Sequence, residues 1–447
     1  MIYPGILLCT EDRKGRESVE TTIKSTVLQP TTLCNLNCDY CYLPGRGKKS
    51  VMEPSTARAV ADSIRSQALR RGGIEVIWHG GEPLTIGASA FTELLEQFAD
   101  IPATHVVQTN ATLIDAEWLA LFKKWKVEIG VSIDGDRDQS RHRVDRAGSA
   151  AFDRITHGIA RLRSGGFPFD VIAVVAAPEP EDARDLYNFI VDLGARSLAV
   201  NIEEREGSNT RLRTHRPEQL QEFWAALADA WTENPAIPVR EFDRVRYAMR
   251  PDESGSRAGD ARSIDPFPTV AWNGDVTLIS PELAGYSSER YGSFSCGNVR
   301  EGDFLKIVRD GMQSAWISEY RRGLARCMDE CAYFSFCEGG HPANRYFEHG
   351  SFDVTETDYC RNAKIALVDG LTDSRKVGGA GGSDARSALL AFERMRRVVA
   401  VQRSGAAHQS PKKFDNRPSW DNGGKPPFDN RPSWDNWDKR GWSKKKK

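Results

Sequence analysis

The chain has 447 residues, with 61 Lys and Arg against 62 Asp and Glu and a hydrophobic content of 40%. That length allows two or three domains with a sizeable core, and a net charge of −1 gives no global pull toward nucleic acid or a membrane surface. No apolar run nears the roughly 18 residues that span a bilayer, and the N-terminus lacks an apolar signal core, so a cytoplasmic chain is expected.

After an N-terminal segment (1–25), short apolar strands are predicted at 27–33, 74–78, 104–108, 127–133, 169–176 and 197–203. Amphipathic helices separate them. The stretch 54–71 places Ala57, Val60, Ala61, Ile64 and Ala68 at helical spacing, and Gly72-Gly73 stops it. Strands alternating with helices imply parallel β-structure with crossover helices, so the fold class is α/β. Six such units over 26–240 make a partial (β/α)6 TIM-like barrel, whose site belongs at the C-terminal ends of the strands.

Cysteine usage supplies the chemistry. There are nine cysteines, and eight fall in two stretches, a pattern that in a reducing compartment favours metal ligation over disulfides. Cys9 stands alone as a free thiol. Directly after the first strand come Cys34, Cys38 and Cys41, spaced C-x3-C-x2-C with Tyr40 before the last. Three clustered thiolates can hold three irons of a four-iron cubane and leave the fourth open to a small chelating molecule. A structural zinc site is the alternative, but it usually shows four ligands in paired groups. The second strand ends in Trp78-His79-Gly80-Gly81-Glu82-Pro83, the third in Gln108-Thr109-Asn110-Ala111-Thr112, and the fourth in Ser132-Ile133-Asp134-Gly135.

Together these segments resemble the radical SAM enzymes. The resemblance implies a [4Fe-4S] cluster on Cys34, Cys38 and Cys41 that chelates S-adenosylmethionine (SAM), draws an electron from a low-potential donor, and releases a 5′-deoxyadenosyl radical. It implies SAM contacts from Gly80, Gly81, Glu82, Thr109, Asn110 and Ser132, with Arg143 or Arg146 reaching the SAM carboxylate. In this reading the glycines let the backbone approach SAM, and Glu82 accepts from its ammonium.

From about 265 the pattern changes. Ala271 to Leu278 reads as a hairpin on an Asn-Gly turn, Cys296 follows, and Cys327-x3-Cys331-x5-Cys337 is closed by Cys360. The four cysteines from 327 could ligate one auxiliary [4Fe-4S] cluster, with a zinc site as the alternative. The stretch 241–370 resembles the SPASM extension of radical SAM peptide maturases, whose core reads C-x2-C-x5-C-x3-C. It departs from that pattern in its first gap, in His341 where the next cysteine would stand, and in Ser280 near the hairpin cysteine. One auxiliary cluster is therefore expected rather than two, with Cys296 left over or a stray ligand.

Residues 371–411 read as a Gly-rich linker with a leader-like helix at 384–402. In 412–447, Phe414 to Asn422 recurs unchanged as Phe428 to Asn436, and eleven Lys/Arg against five Asp give a net charge of +6. Without aliphatic residues to bury, this tail is expected to be disordered. Its F-x-N and W-x-N triplets look like the core peptides of cyclophane (triceptide) synthases, which join an aromatic ring to Cβ of the residue two positions on. The resemblance implies crosslinks of Phe414 to Asn416, Trp420 to Asn422, Phe428 to Asn430 and Trp434 to Asn436 in a peptide substrate fused in cis. Trp437/Lys439 and Trp442/Lys444 fit the same spacing. Rearomatisation requires a base, for which Asp134, Glu203, Glu204 and His341 are unranked candidates. Two other readings stay open: a maturase of a separate protein, like the sulfatase-maturating enzymes, and an iron–sulfur scaffold whose basic tail binds RNA.

Overall fold

The computed structural model describes residues 23–211, 215–248 and 264–373. Cys9, the 384–402 helix and every crosslinking position from Phe414 to Asn436 lie outside the described residues. Among the described residues no helix is long and apolar enough to cross a membrane.

Strands β1 (Ser25–Leu28), β2 (Ile74–Trp78), β3 (Ala103–Thr109), β4 (Glu128–Ser132), β5 (Phe169–Val175) and β6 (Leu198–Ile202) pair in parallel in chain order. Between them run α1 (Pro54–Arg71), α2 (Ala88–Glu96), α3 (Ala116–Trp125), α4 (Phe152–Ser164) and α5 (Pro180–Asp192). The alternation read from the sequence is therefore present, with small changes at the ends. Helix α1 matches 54–71 because Pro54 opens it after an extended Glu53 and Gly72 closes it in the left-handed region (φ 75°). The first strand is shorter than 27–33. Pro30 has no N–H to continue a ladder, and Leu33 N instead turns to Thr31 Oγ1 at 3.0 Å.

Side-chain alternation divides the core in two. Val76, Trp78, Val107, Val171 and Ala173 join the helices in one large apolar cluster. On the opposite face Val27, Ile77, Val106, Ile172 and Ala199 meet Phe267 in a small inner cluster. Most of the parallel strands are thus apolar on both faces, as a sheet covered by helices on one side and curled round a filled interior requires, whereas β4 turns Gly130 and Ser132 inward.

The later chain adds α6 (Pro217–Glu233), α7 (Arg240–Ala248), and the hairpin of β7 (Thr269–Val270) and β8 (Asp275–Thr277). A small ribbon, β9 (Ser287–Ser288) with β10 (Gly292–Ser293), precedes β11 (Ser295–Asn298). The hairpin does not build a sheet of its own. β7 pairs in parallel with β1, and β8 and β11 extend the same sheet at that edge. At its turn Gly274 takes φ 93° and its N–H returns to Ala271 O at 2.9 Å. Helices α8 (Phe304–Gly311), α9 (Ala315–Glu330), α10 (Phe334–Cys337) and α11 (Pro342–His349) follow, with Cys327 on α9, Cys331 just after it and Cys337 on α10. A π-helical turn at Cys360–Ile365 then leads into α12 (Ala366–Asp373). This last helix lies close on α6, because a Cβ at Gly370 would come within 2.4 Å of Gln221 O, and Trp224 Nε1–H donates to Asn362 O at 3.0 Å.

Buried His105 accepts from Trp78 Nε1–H through its Nδ1 at 3.1 Å, and burial pushes its pKa down from 6.5 to about 4. The unfolded chain would take up this proton first, so stability should fall as pH drops from 6.5 toward 4, by roughly 3 kcal/mol for this group. Urea midpoints across that range should slope more gently in His105→Gln than in the wild type.

Candidate active site

The C-terminal ends of the parallel strands open into one cavity with an empty volume of about 1130 Å3. Its walls include Cys34, Cys38 and Cys41, together with Tyr42, His79, Glu82, Gln108, Asn110, Ser132, Arg143, Asn201 and four glutamates, Glu203, Glu204, Glu206 and Glu282. The three thiols are half-buried and unbridged. Burial, with Glu82 adding repulsion, pushes the Cys34 thiol up, and burial raises Cys38 to about 12. Three thiols on one wall are the donor set that iron takes as thiolates, and an ion there would have to offset this burial.

Neighbouring segments pin the cysteine loop by its backbone. Cys34 N–H donates to Arg46 O (3.0 Å), Asn37 N–H to Val144 O (2.7 Å) and Asp39 N–H to His142 O (3.1 Å). Glu82 N–H donates to Leu33 O at 2.8 Å. The Glu82 carboxylate, fully buried, receives Leu84 N–H (3.1 Å), Thr109 Oγ1–H (2.7 Å) and Asn110 N–H (2.7 Å). Burial still lifts its pKa to about 7 against those donors.

The glycine pair has a packing reason beside the expected approach to SAM, and Gly81 itself lines the cavity. The space a Gly81 Cβ would need is filled by Leu33 O at 2.4 Å and Thr32 at 2.7 Å, with φ at 58°, and Gly80 faces the Gln29 side chain at 2.8 Å. The glycines bring the end of β2 against the cysteine loop. Gly81→Ala should cost roughly 2–5 kcal/mol through clash and a left-handed backbone. Thermal melting together with the iron content of the purified variant would show it.

Thr109 and Asn110 are similarly engaged by the protein. Asn110 Nδ2–H donates to Asn35 Oδ1 at 2.9 Å, its Oδ1 accepts from Thr112 N–H at 3.0 Å, and Asn35 Nδ2–H reaches Thr112 Oγ1 at 2.7 Å. Ser132 faces the cavity and accepts from Gln108 Nε2 at 2.9 Å.

Asp134 is not on the cavity wall. It is buried behind it, paired with Arg143 at 2.7 Å, accepting Val174 N–H at 2.9 Å and bonded to Tyr40 Oη–H. Burial alone would lower the Arg143 pKa, but the charges of Asp134 and its neighbours raise it further. Of the candidate bases, Asp134 is thus the one engaged behind the wall by Tyr40, Arg143 and the Val174 N–H. Of the two arginines expected near SAM, Arg146 braces the loop, its guanidinium donating to Cys34 O at 3.1 and 2.9 Å. Arg143 does line the cavity, and its Nε is buried without a hydrogen-bond partner.

The glutamate wall brings in residues the sequence did not single out. Glu203 accepts from Asn209 Nδ2 at 3.3 Å and lies 3.5 Å from Arg211 Nε. Glu204 accepts from Asn344 Nδ2 at 2.5 Å, while burial and then the charge of Glu206 hold its pKa well above the carboxylate range. Burial would lower the His341 pKa, but Glu282 and Glu206 outweigh it and raise it. His79, its pKa lowered to about 4 by burial, meets Tyr42 Oη at 3.0 Å through Nε2. Tyr42 and His79 sit beside motifs already noted, whereas Glu206 and Glu282 follow β6 and β8 with no local signature.

The second cysteine set lines a separate cavity of about 850 Å3 that holds Cys327, Cys331, Cys337 and Cys360. Two cations serve it. Fully buried Arg345 donates to Cys327 Sγ at 3.1 Å and to Gly339 O at 2.6 Å, and Lys364, its pKa brought down to about 8 by burial, lines the cavity. Buried cations beside four thiols fit an anionic cluster. Cys296 lies in neither cavity. It sits under α8, against the Gly311 backbone, with burial raising its thiol to about 12.

Comparison with known proteins accords with this geometry. Residues 28–190 match the model of the radical SAM superfamily. A serine-type anaerobic sulfatase-maturating enzyme of Klebsiella aerogenes is 32% identical over 326 residues, spanning 70% of this chain and 77% of that protein. An uncharacterised protein of Synechocystis is 29% identical over 75% of this chain and 87% of its own length. Among solved structures, the sulfatase-maturating enzyme anSMEcpe with bound AdoMet superposes with a TM-score of 0.64 at 20% identity, covering 83% of this chain and 98% of that one. SuiB of Streptococcus suis, bound to precursor peptide SuiA, superposes with a TM-score of 0.58 at 17% identity, covering 76% of each chain. These two likenesses concern the fold. With three thiols on one cavity wall at the strand ends, and a relative this similar over most of its length, the chain belongs to the radical SAM superfamily and is related to the anaerobic sulfatase-maturating enzymes.

Proposed function

We propose that this chain is a peptide maturase that forms three-residue cyclophanes in its own C-terminal segment. The observation that carries the reading is the unchanged repeat of Phe414 to Asn422 as Phe428 to Asn436, joined to a radical SAM chain. Cys34, Cys38 and Cys41 would hold the [4Fe-4S] cluster, and Ser132 and the unpartnered Arg143 Nε are the proposed contacts to SAM. When bound, cluster and SAM supply a 5′-deoxyadenosyl radical able to take hydrogen from an unactivated carbon. Cys327, Cys331, Cys337 and Cys360 would hold one auxiliary cluster in a SPASM-like arrangement, a sink for one electron.

The peptide chemistry balances simply. Asn Cβ loses a hydrogen atom, a bond forms from that carbon to the aromatic ring two residues earlier, and the ring loses one proton and one electron. Residues i and i+2 of an extended segment project to one face, and Pro418 and Pro432 keep the repeats out of helix. Glu203 is assigned the proton: it lines the cavity, whereas Asp134 and His341 do not, and burial raises the Glu204 pKa well above the carboxylate range. The acidic side chains of this wall, Glu203 and Glu282 among them, also complement a tail of net charge +6.

Recognition needs little more than the tether. From Asp373 to Phe414 is a span of about 40 residues. A flexible chain of that length has a root-mean-square reach of roughly 35 Å and gives millimolar effective concentration. The cytoplasm is the expected compartment for such chemistry. In protein whose asparagines are deuterated at Cβ, 5′-deoxyadenosine should acquire deuterium; 5′-deoxyadenosine without label, from a tail that still crosslinks, would overturn the assigned hydrogen.

A second reading has its own support. The 32% identity to the Klebsiella aerogenes enzyme favours a maturase of a separate protein. A tail left unchanged while an added sulfatase peptide is oxidised would establish it.

A further inference from the structure

Ser280 and His341, the two positions that interrupt the cysteine pattern, are distant in sequence and adjacent in the fold. Ser280 Oγ–H donates to Glu282 Oε2 at 2.6 Å, and that same oxygen lies 3.5 Å from His341 Nε2. Glu206 Oε1 approaches His341 Nδ1 at 3.4 Å. One donor atom from each of Glu206, Glu282 and His341 falls within 4.8 Å of the others. Bond lengths near 2.0–2.2 Å put neighbouring ligand atoms about 3–4 Å apart, so only a small contraction would close this group on an ion.

The imidazole tautomer is set by its neighbour. Asn344 Nδ2–H donates to Glu204 Oε2 at 2.5 Å, which leaves Asn344 Oδ1 to accept from His341 Nδ1–H at 2.8 Å. The lone pair then sits on Nε2. That atom is buried, in a residue only 7% exposed, and it has no hydrogen-bond partner. Glu206 Oε1 is likewise buried without one. An imidazole fixed through one nitrogen by an amide oxygen, with the other nitrogen bare and turned toward the Glu282 carboxylate, is the arrangement that metal-ligating histidines show.

We propose that Glu206, Glu282 and His341 form a mononuclear divalent-cation site, with His341 Nε2 as its nitrogen ligand and Ser280 and Asn344 as orienting partners. Two carboxylates and one imidazole match Mn(II), Fe(II) or Zn(II), and two carboxylates neutralise the dication. Glu206 and Glu282 both line the active-site cavity, so an ion here would present its remaining coordination positions to whatever occupies that cavity. The proposal is independent of the crosslinking reaction.

The test uses the full, cluster-loaded chain held oxidised, so that the iron–sulfur clusters give no paramagnetic signal. Mn(II) is titrated in and the free ion is followed by its EPR spectrum, while elemental analysis counts tightly held zinc. One equivalent of bound manganese or zinc per chain is expected in the wild type. It should be lost in Glu282→Gln and His341→Ala, with iron–sulfur absorbance checked as evidence of folding. In the milder Ser280→Ala variant the affinity should fall about tenfold, as for other orienting partners. No bound ion in the wild type, or equal binding in Glu282→Gln, would overturn the site and leave His341 as an imidazolium clamped between two carboxylates.

Discussion

Alanine at Cys34, Cys38 or Cys41 is expected to abolish SAM cleavage outright rather than slow it. The three thiols share one wall of the cavity, and each would supply a ligand for which no spare cysteine stands nearby among the described residues, since Cys296 lies under α8 and the other four line a separate cavity. Loss of a thiolate removes the cluster's attachment, not a tunable contact. 5′-Deoxyadenosine released under dithionite measures this. Cys296→Ala should cleave SAM at the wild-type rate, and Cys360→Ala should cleave SAM yet fail to complete crosslinks. Cleavage surviving in Cys41→Ala would mean that the cluster sits elsewhere.

Glu203→Gln should separate the two halves of the reaction. General-base contributions are typically about 10²–10⁴-fold, so crosslinking should fall by that factor while SAM cleavage persists. The amide keeps the size of the side chain and its contact with Asn209 at 3.3 Å, but it cannot accept the ring proton. Rates of tail modification and of 5′-deoxyadenosine formation, measured on the same samples, give the ratio. A parallel fall in both would place Glu203 in SAM binding instead.

Much of this architecture was legible because it is local. Helix 54–71 carries its own start in Pro54 and its own stop in Gly72, and the cysteine triplet announces itself by spacing. What the sequence could not show is which atoms a motif residue touches. Gly81 reads as an approach to a ligand, yet its missing Cβ makes room for Leu33 O. Asp134 reads as a free carboxylate, yet Tyr40 and Arg143 consume it from positions 94 and 9 residues away. Glu206 and Glu282 had no signature because no short-range pattern marks them. Only the placement of β8 at the β1 edge and of α11 near β6 brings Glu282, His341 and Glu206 together. Departures from a family pattern were better guides than matches here, since Ser280 and His341 both led to that group.

The most direct measurement is high-resolution mass spectrometry of the released 403–447 segment, from wild type and Cys41→Ala made under low oxygen. The account predicts loss of two hydrogens for each modified triplet, mapped to Phe-Asp-Asn and Trp-Asp-Asn in the wild type and absent from the variant. A tail of unaltered mass from protein that still cleaves SAM would contradict it.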